Sequence, residues 1–125
     1  MSNEHDKALK PEDLNRMLGE RANAGDVDGI VALFEPNAVV ASPPGQLTAG
    51  HEAIRTLFEG VIASGRKFGQ AEHRSPIIAG DIAMTGITNR DDDGKPIQGS
   101  AEIARRQPDG SWLFVVDNPR VLPPS

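Results

Sequence analysis

Apolar residues recur at helical spacing in three segments of the N-terminal half. The first helix is predicted from a stripe at i, i+3, i+4 and i+8, formed by Leu14, Met17, Leu18 and Ala22. A second, short helix is predicted after Asp26 as its N-cap, with an apolar face of Val27, Ile30, Val31 and Phe34. A third is predicted over residues 51–64, with a stripe of Ile54, Leu57, Phe58, Val61 and Ile62. Gly25, Pro36 and Gly65 are expected to end these helices.

Most of the remaining chain has strand character. A first strand is predicted over residues 38–42, and the Pro43-Pro44-Gly45 corner closes it. Later strands are predicted over 66–74, 76–87 with a break at Gly80-Asp81, 96–106 and 111–117. Because helices come first and most strands follow consecutively, the sequence predicts an α+β fold with three N-terminal helices on one face of an antiparallel sheet.

Length and composition limit the classes of protein that the chain fits. Its 125 residues suit one domain over 11–119, with a flexible, polar arm at 1–10 and a tail at 120–125. A net charge of -5 argues against nucleic-acid binding, which needs a basic surface. We expect no membrane segment and a cytoplasmic location, because no apolar run approaches about 20 residues and the N-terminus is polar.

No metal or cofactor is predicted. The chain has no cysteine, and its three histidines are scattered. The run Asp91-Asp92-Asp93-Gly94 has consecutive acids where calcium loops alternate their ligands, so a solvated turn is the better interpretation. His51 is expected at the surface, and the facing of His73 is left open.

Two stretches resemble a known superfamily. Asn23-Ala24-Gly25-Asp26 and the run from Asp28 to Phe34 are similar to the opening of ketosteroid isomerases. Arg105-Arg106 with Asp109-Gly110-Ser111-Trp112, followed by Asp117-Asn118-Pro119, is similar to SnoaL-like proteins. Both belong to the nuclear transport factor 2-like superfamily. The resemblance implies a curved sheet wrapped around helices to form a cone.

The resemblance also assigns positions to the isomerase machinery. A buried, protonated aspartic acid of the isomerases falls on Glu102, and their general base falls on Ser42. A tyrosine of the oxyanion hole falls on Leu18, and a further pocket tyrosine falls near Phe58. Serine is a poor general base near neutral pH, and the chain has no tyrosine. Steroid isomerisation by that mechanism is therefore not expected.

The last hairpin offers a different pair of candidates. If residues 107–110 form its loop, Arg106 faces Ser111, Glu102 faces Val115 and Ser100 faces Asp117. Glu102 and Asp117 then share one face as diagonal neighbours, close enough to bind one ligand. We predict them as the catalytic pair on the floor of the cone. The predicted ligand-binding residues are Leu18, Phe34, Ser42, Phe58 and Val115.

Structural roles for the same residues stay open. Glu102 is also a candidate partner of Arg106 or His73, and Asp117 is also typical of a hydrogen bond at the end of a strand.

Three kinds of function are compatible with the sequence. One is a cofactor-free acid–base enzyme, such as an isomerase, cyclase or hydrolase, acting on a small apolar molecule. The second is a binding protein without turnover. The third is a homodimeric assembly domain, with Ile103, Trp112, Phe114 and Val116 on the outer face of the sheet.

Overall fold

The computed structural model describes residues 6–69 and 71–121. Within these residues, α1 spans Asp13–Asn23, α2 spans Val27–Val31 and α3 spans His51–Ala63. The strands are β1 Phe34–Val40, β2 Thr48–Ala49, β3 Glu72–His73, β4 Ile77–Ala79, β5 Ile82–Thr85, β6 Ile87–Arg90, β7 Pro96–Gly99, β8 Ala101–Arg106 and β9 Trp112–Asn118. The predicted α+β class and the three helices are confirmed.

The strands form a six-stranded sheet in the order β2-β1-β9-β8-β5-β4 and a three-stranded sheet in the order β3-β6-β7. All pairs are antiparallel except β1 with β9, which is parallel. The chain passes from the larger to the smaller sheet at Gly86, between β5 and β6. It returns to the larger sheet at Ser100, between β7 and β8. A Cβ on Gly86 would lie 2.6 Å from the Ser100 carbonyl oxygen, so this bend requires glycine.

The α1–α2 connection forms as the sequence predicts. Gly25 has a φ of 71°, and the Asp26 carboxylate accepts a hydrogen bond from the Gly29 amide at 2.9 Å. The prediction that Phe34 belongs to α2 is wrong, because α2 ends at Val31 and Phe34 begins β1. The strand tolerates Pro36 because the β1–β9 register shifts between Phe34 and Val39.

The hydrophobic core lies between the three helices and the inner face of the larger sheet. Its centre is aromatic: the Phe34 ring centroid lies 5.1 Å from that of Phe114 and 6.0 Å from that of Phe58. The buried stripes of α1 and α3 pack onto it through Leu14, Leu18, Ile54 and Phe58. The core therefore ties the helices to the β8–β9 hairpin.

The register of that hairpin differs from the prediction. Arg106 pairs with Trp112 instead of Ser111, and Glu102 pairs with Asp117 instead of Val115. The pairing shifts once more between Ile103 and Ala104, where β9 carries one extra residue.

The shifted register changes which side chains face inward. Trp112 and Phe114 are buried, so their predicted place on the outer face is wrong. Ile103 remains half-buried and Val116 exposed, on the opposite face of the sheet. Glu102 and Asp117 are both on the buried face, as predicted. The extra residue in β9 offsets the shifted register, so that Asp117 faces inward like Trp112 and Phe114.

The segment before α1 is docked where the sequence predicts a polar arm. Ala8 is buried, and its carbonyl oxygen accepts a hydrogen bond of 2.8 Å from the Trp112 amide. Lys7 Nζ lies 2.7 Å from Asp109 Oδ2. Residues 1–5 of the predicted arm and 122–125 of the predicted tail lie outside the described residues. None of the described helices has the length and apolarity to cross a bilayer.

Replacing the inner aromatic residue of β9 tests this core. We expect Phe114→Ala to lower the free energy of unfolding by about 3–5 kcal/mol, because it empties the contact between sheet and helices. Chemical denaturation measures the effect. Leu9→Ala, at a position that is 72% exposed, is the control and should change it by less than about 0.5 kcal/mol. Equal effects of the two variants would contradict this assignment of the core.

Candidate functional site

Two carboxyl side chains face each other across the last hairpin. Glu102 on β8 and Asp117 on β9 are direct partners in the antiparallel ladder. Both lie on the inner face, where Glu102 is 1% exposed and Asp117 is 8% exposed. Directly opposed side chains have Cβ atoms about 4.5–5.5 Å apart, closer than the diagonal arrangement that the sequence predicts. Two acidic groups are thus held together at the inner end of the cone.

Glu102 is fixed by two neutral donors from different elements. Asn15 on α1 donates from Nδ2 to Glu102 Oε1 at 2.6 Å, and Thr85 on β5 donates from Oγ1 to the same oxygen at 2.7 Å. Neither Arg106 nor His73 pairs with Glu102; Arg106 binds Asp81 instead. Both donors bind the same oxygen, so none of the described residues donates to Glu102 Oε2.

Asp117 has a different environment. Its carboxyl group makes no hydrogen bond with the described part of the chain, although its main chain is paired on both sides. Burial, and secondarily the charge of Glu102, raises the pKa of Asp117 to about 7. Near neutral pH, Asp117 is therefore divided between its acid and carboxylate forms. The pair combines a fixed acceptor with a group that readily gains or loses a proton.

Both carboxyl groups line a cavity of about 130 Å³ between the helices and the sheets. That volume equals the liquid share of about four water molecules, at about 30 Å³ each. Its apolar wall is formed by Leu18, Val40, Leu57, Phe58, Val61, Phe68, Ile87 and Pro119. Its polar wall adds Asn15, Ser42, Arg66, Asn89, Gln98 and Ser100. The cavity thus suits a small molecule with an apolar body and a polar group.

The segment after α3 forms one wall near the surface. Asn23 binds both main-chain groups of Phe68: its Nδ2 donates to the Phe68 carbonyl oxygen at 2.8 Å, and its Oδ1 accepts from the Phe68 amide at 2.7 Å. The Arg66 guanidinium lies over the Phe68 ring, 4.6 Å from its centroid. This segment places an exposed cation at the cavity and an aromatic ring in its wall.

Three of the five predicted ligand-binding residues line this cavity: Leu18, Ser42 and Phe58. They are the positions to which the resemblance assigns the base and tyrosines of the isomerases. Phe34 and Val115 are not among the lining residues. Phe34 is enclosed between Phe58 and Phe114, and the shifted register pairs Glu102 with Asp117 in place of Val115.

The other candidate residues lie outside the cavity. His51 Nε2 is 2.7 Å from the Phe34 carbonyl oxygen, so it links α3 to β1, and His73 is exposed on β3. Asp91 Oδ1 accepts from the amides of Asp93 and Lys95, which confirms the predicted turn. Among residues 6–69 and 71–121, no three His, Asp or Glu side chains converge as metal ligands.

Asn15 and Thr85, the two donors to Glu102, are not among the predicted site residues. Asn15 stands i-3 from Leu18 and i-7 from Ala22, so it lies on the same side of α1 as part of the apolar stripe. Thr85 lies two residues after the buried Ala83 on β5, so the two side chains are on the same face of the strand. A polar residue that shares a face with apolar ones was the available signal at both positions.

Larger grooves on the surface lack such a pair. One of about 610 Å³ lies between the N-terminal segment and the β8–β9 turn, and its two acidic residues, Asp6 and Asp109, are exposed. The 130 Å³ cavity is where buried ionisable groups meet an apolar wall, which is the usual character of a ligand site.

This arrangement defines a protein with the nuclear transport factor 2-like fold, and solved structures share it. A candidate calcium/calmodulin-dependent protein kinase type II association domain from Thiobacillus denitrificans has a TM-score of 0.71 at 16% identity, covering 92% of this chain and 98% of that one. A ketosteroid isomerase-like protein from Erwinia carotovora has a TM-score of 0.66 at 17% identity, covering 90% of this chain and 94% of that one. A candidate dehydratase from Streptomyces avermitilis has a TM-score of 0.65 at 17% identity, covering 87% of this chain and 93% of that one.

The chain belongs to the SnoaL-like domain family, whose model matches residues 14–116. That match includes α1, α3 and the β8–β9 hairpin up to Val116. None of the curated proteins compared with the chain matches it significantly. At these identities, the solved structures establish the fold and leave the reaction open.

The environment of Asp117 predicts how stability depends on pH. Because its pKa is raised in the folded protein, the wild type loses stability as pH rises from about 4 to about 7. Asp117→Asn carries no such charge, so it should gain stability relative to the wild type over that range, by at most about 4 kcal/mol. Urea unfolding at pH 4, 6 and 8 measures the difference.

The exposed Asp92→Asn is the matched control, and its difference from the wild type should not follow this profile. A difference for Asp117→Asn that stays constant from pH 4 to pH 8 would show that Asp117 ionises normally in the folded protein.

Proposed function

We propose that the chain is a small-molecule-binding cone that acts on its ligand by cofactor-free acid–base chemistry through Glu102 and Asp117. The observation that carries the proposal is the buried carboxyl group of Asp117, which lines a cavity beside a fixed carboxylate without a hydrogen-bond partner among the described residues. General acid–base catalysis works best when a group gains and loses its proton near the working pH.

The proposed division of labour follows from the hydrogen bonds. Glu102 Oε2 is available to take a proton from carbon, since both donors occupy Oε1. Asp117 in its acid form gives its proton to a carbonyl oxygen of the ligand. A C–H bond then breaks, an O–H bond forms, and the ketone becomes its enol; the reverse transfers restore the ketone and both carboxyl groups.

This chemistry differs from that of the ketosteroid isomerases, because Ser42, Leu18 and Phe58 stand at the positions of their base and tyrosines. The reaction class that we propose is isomerisation or cyclisation of a molecule smaller than a steroid. The 130 Å³ cavity supports the size limit, since pockets for drug-sized ligands measure about 300–1,000 Å³.

Exchange of carbon-bound protons tests the acid–base proposal. We expect the wild type to accelerate the incorporation of deuterium from D₂O into cyclohexanone, as followed by proton NMR. Glu102→Gln and Asp117→Asn should each lower the protein-catalysed rate about 100-fold, because each removes one proton-transfer group.

The control is Glu59→Gln, on the exposed side of α3, which should exchange at the wild-type rate. Thermal unfolding of each variant shows whether it remains folded. Exchange by the wild type at the buffer rate, or undiminished exchange in both cavity variants, would refute the acid–base role.

We propose in addition that two copies of the chain associate through the outer face of the larger sheet. An apolar row of successive cross-strand neighbours crosses five strands of this face. It consists of Val39, Val116, Ile103, Met84 and Ile77. Of these, Ile77 is 70% exposed, Met84 48% and Val116 39%. Continuous exposed apolar rows of this kind are typical of protein interfaces.

The observations around this apolar row support the same assignment. The ion pair Arg105–Glu35, with a nitrogen-to-oxygen distance of 2.9 Å, lies beside it, since Arg105 alternates in phase with Ile103, and a polar margin is typical of interfaces. A purely structural role, as an assembly domain, is the second candidate function. The similarity to a candidate kinase association domain favours it at the level of fold.

A charge in the middle of the apolar row tests the association. We expect the wild type to be a dimer at micromolar concentration and Met84→Glu to be a monomer, because the substitution would bury an unpaired carboxylate at the interface. Size-exclusion chromatography with light scattering measures the mass. Leu47→Glu, at a loop position that is 74% exposed, should remain a dimer. A monomeric wild type would refute the proposal.

A further inference from the structure

The carboxyl pair in the cavity lacks a cationic partner. Both groups that bind Glu102 are neutral, the Asn15 amide and the Thr85 hydroxyl. Within residues 6–69 and 71–121, no Lys, Arg or His side chain forms a hydrogen bond or ion pair with Glu102 or Asp117. The one described cation in the lining of the cavity, Arg66, binds neither carboxyl group.

The open carboxyl oxygens of this pair can accept hydrogen bonds from a bound molecule. Removing a carboxylate from water costs several kcal/mol unless a counter-charge or sufficient hydrogen bonds replace the water. Glu102 has neutral donors on one oxygen only, and Asp117 has none from the described residues. Both residues belong to the lining of the cavity, and none of the described buried side-chain oxygens lacks a partner, so the open carboxyl oxygens can be reached from the cavity.

We propose that this cavity also binds molecules that carry a protonated amine on a small apolar body, with the ammonium group between Glu102 and Asp117, in competition with the ketone of the proposed reaction. This inference rests on the proposed function in one respect, that the cavity is a ligand site. An ammonium group offers three hydrogen-bond donors and one positive charge, and the open oxygens of the pair need both.

The walls of the cavity fit the rest of such a ligand. Leu18, Phe58, Val61 and Phe68 line the same cavity as the pair with apolar and aromatic surface. Aromatic faces also attract a cation that lies within about 6 Å. An alkylamine, with or without an aromatic ring on its alkyl group, thus finds a partner for each of its parts.

Arg66 determines the orientation of the ligand. It is the one cation in the lining that the structure describes, and it is exposed and stacked on Phe68. A positive charge at that position repels an ammonium group and leaves an apolar group unaffected. The amine is therefore bound inward, at the carboxyl pair, with the apolar body towards Arg66.

Binding of an ammonium group changes the protonation of Asp117. A positive charge beside a carboxyl group favours its ionised form. Since the pKa of Asp117 is raised to about 7, amine binding below that pH displaces a proton. The affinity should consequently rise about tenfold between pH 6 and pH 8, while an alkylamine stays protonated as lysine does. The charged groups that share the cavity lining with Asp117 are Glu102 and Arg66.

Three ring compounds of similar shape test the inference: benzylamine, benzyl alcohol and benzoate. Titrations of the ¹⁵N-labelled protein at pH 6 and pH 8, followed by NMR, give each dissociation constant and locate binding through the amides of β8 and β9. We expect benzylamine to bind at the cavity at least ten times more tightly than the alcohol at pH 8, and about tenfold less tightly at pH 6 than at pH 8.

Two variants and a control connect the binding to the pair. Glu102→Gln and Asp117→Asn should each weaken the binding of benzylamine at least tenfold at pH 8. The dissociation constant of benzyl alcohol should stay unchanged. Asp117→Asn should also abolish the dependence on pH. The exposed Glu59→Gln should bind benzylamine as the wild type does. Both cavity variants replace a carboxyl by its isosteric amide, and their NMR spectra report whether they are folded.

Each other outcome overturns the inference. Alcohol binding as tight as amine binding would refute the amine preference and leave the acid–base proposal standing, since deuterium exchange tests that separately. Preferred binding of benzoate, lost in Arg66→Gln, would assign the cavity to anions. If none of the three compounds binds at the cavity, the amine proposal fails, and failure of deuterium exchange as well would refute the proposed function.

Discussion

The pairing of β8 with β9 is the constraint on which the rest of the structure depends. One extra residue in β9 shifts the register between Ile103 and Ala104. On the turn side of the shift, Trp112 and Phe114 face inward and supply the aromatic centre of the core. Beyond it, Asp117 faces inward directly opposite Glu102. The same irregularity in the backbone thus lets a single hairpin contribute both the hydrophobic core and the carboxyl pair.

Much of the fold could be predicted from local pattern. The stripes of α1 and α3, the Asp26 cap and the turn at Asp91 follow rules that act over a few residues, and all of them are confirmed. The register of the last hairpin could not be predicted in this way, because strict alternation leaves no place for an extra residue. The error reversed the facing of Trp112 and Phe114 while Glu102 and Asp117 kept theirs.

The candidate site was predictable in its acids and not in their surroundings. The resemblance placed Glu102, Leu18, Ser42 and Phe58, and all four line the cavity. The donors to Glu102 come from α1 and β5, which lie 87 and 17 residues away along the chain. No short-range rule connects those positions. Tertiary packing makes them neighbours. Their hydrogen bonds fix the Glu102 carboxyl group, whereas that of Asp117 has no hydrogen-bond partner among the described residues.

Helix α1 links parts of the cavity that are far apart in the sequence. Asn15 near its start binds Glu102, Leu18 in its middle forms part of the wall, and Asn23 at its end binds the main chain of Phe68. A rigid helix that contacts the floor, the wall and the outer segment moves all three together. The position of α1 therefore sets the placement of Glu102, of part of the apolar wall and of the Phe68 segment at the same time.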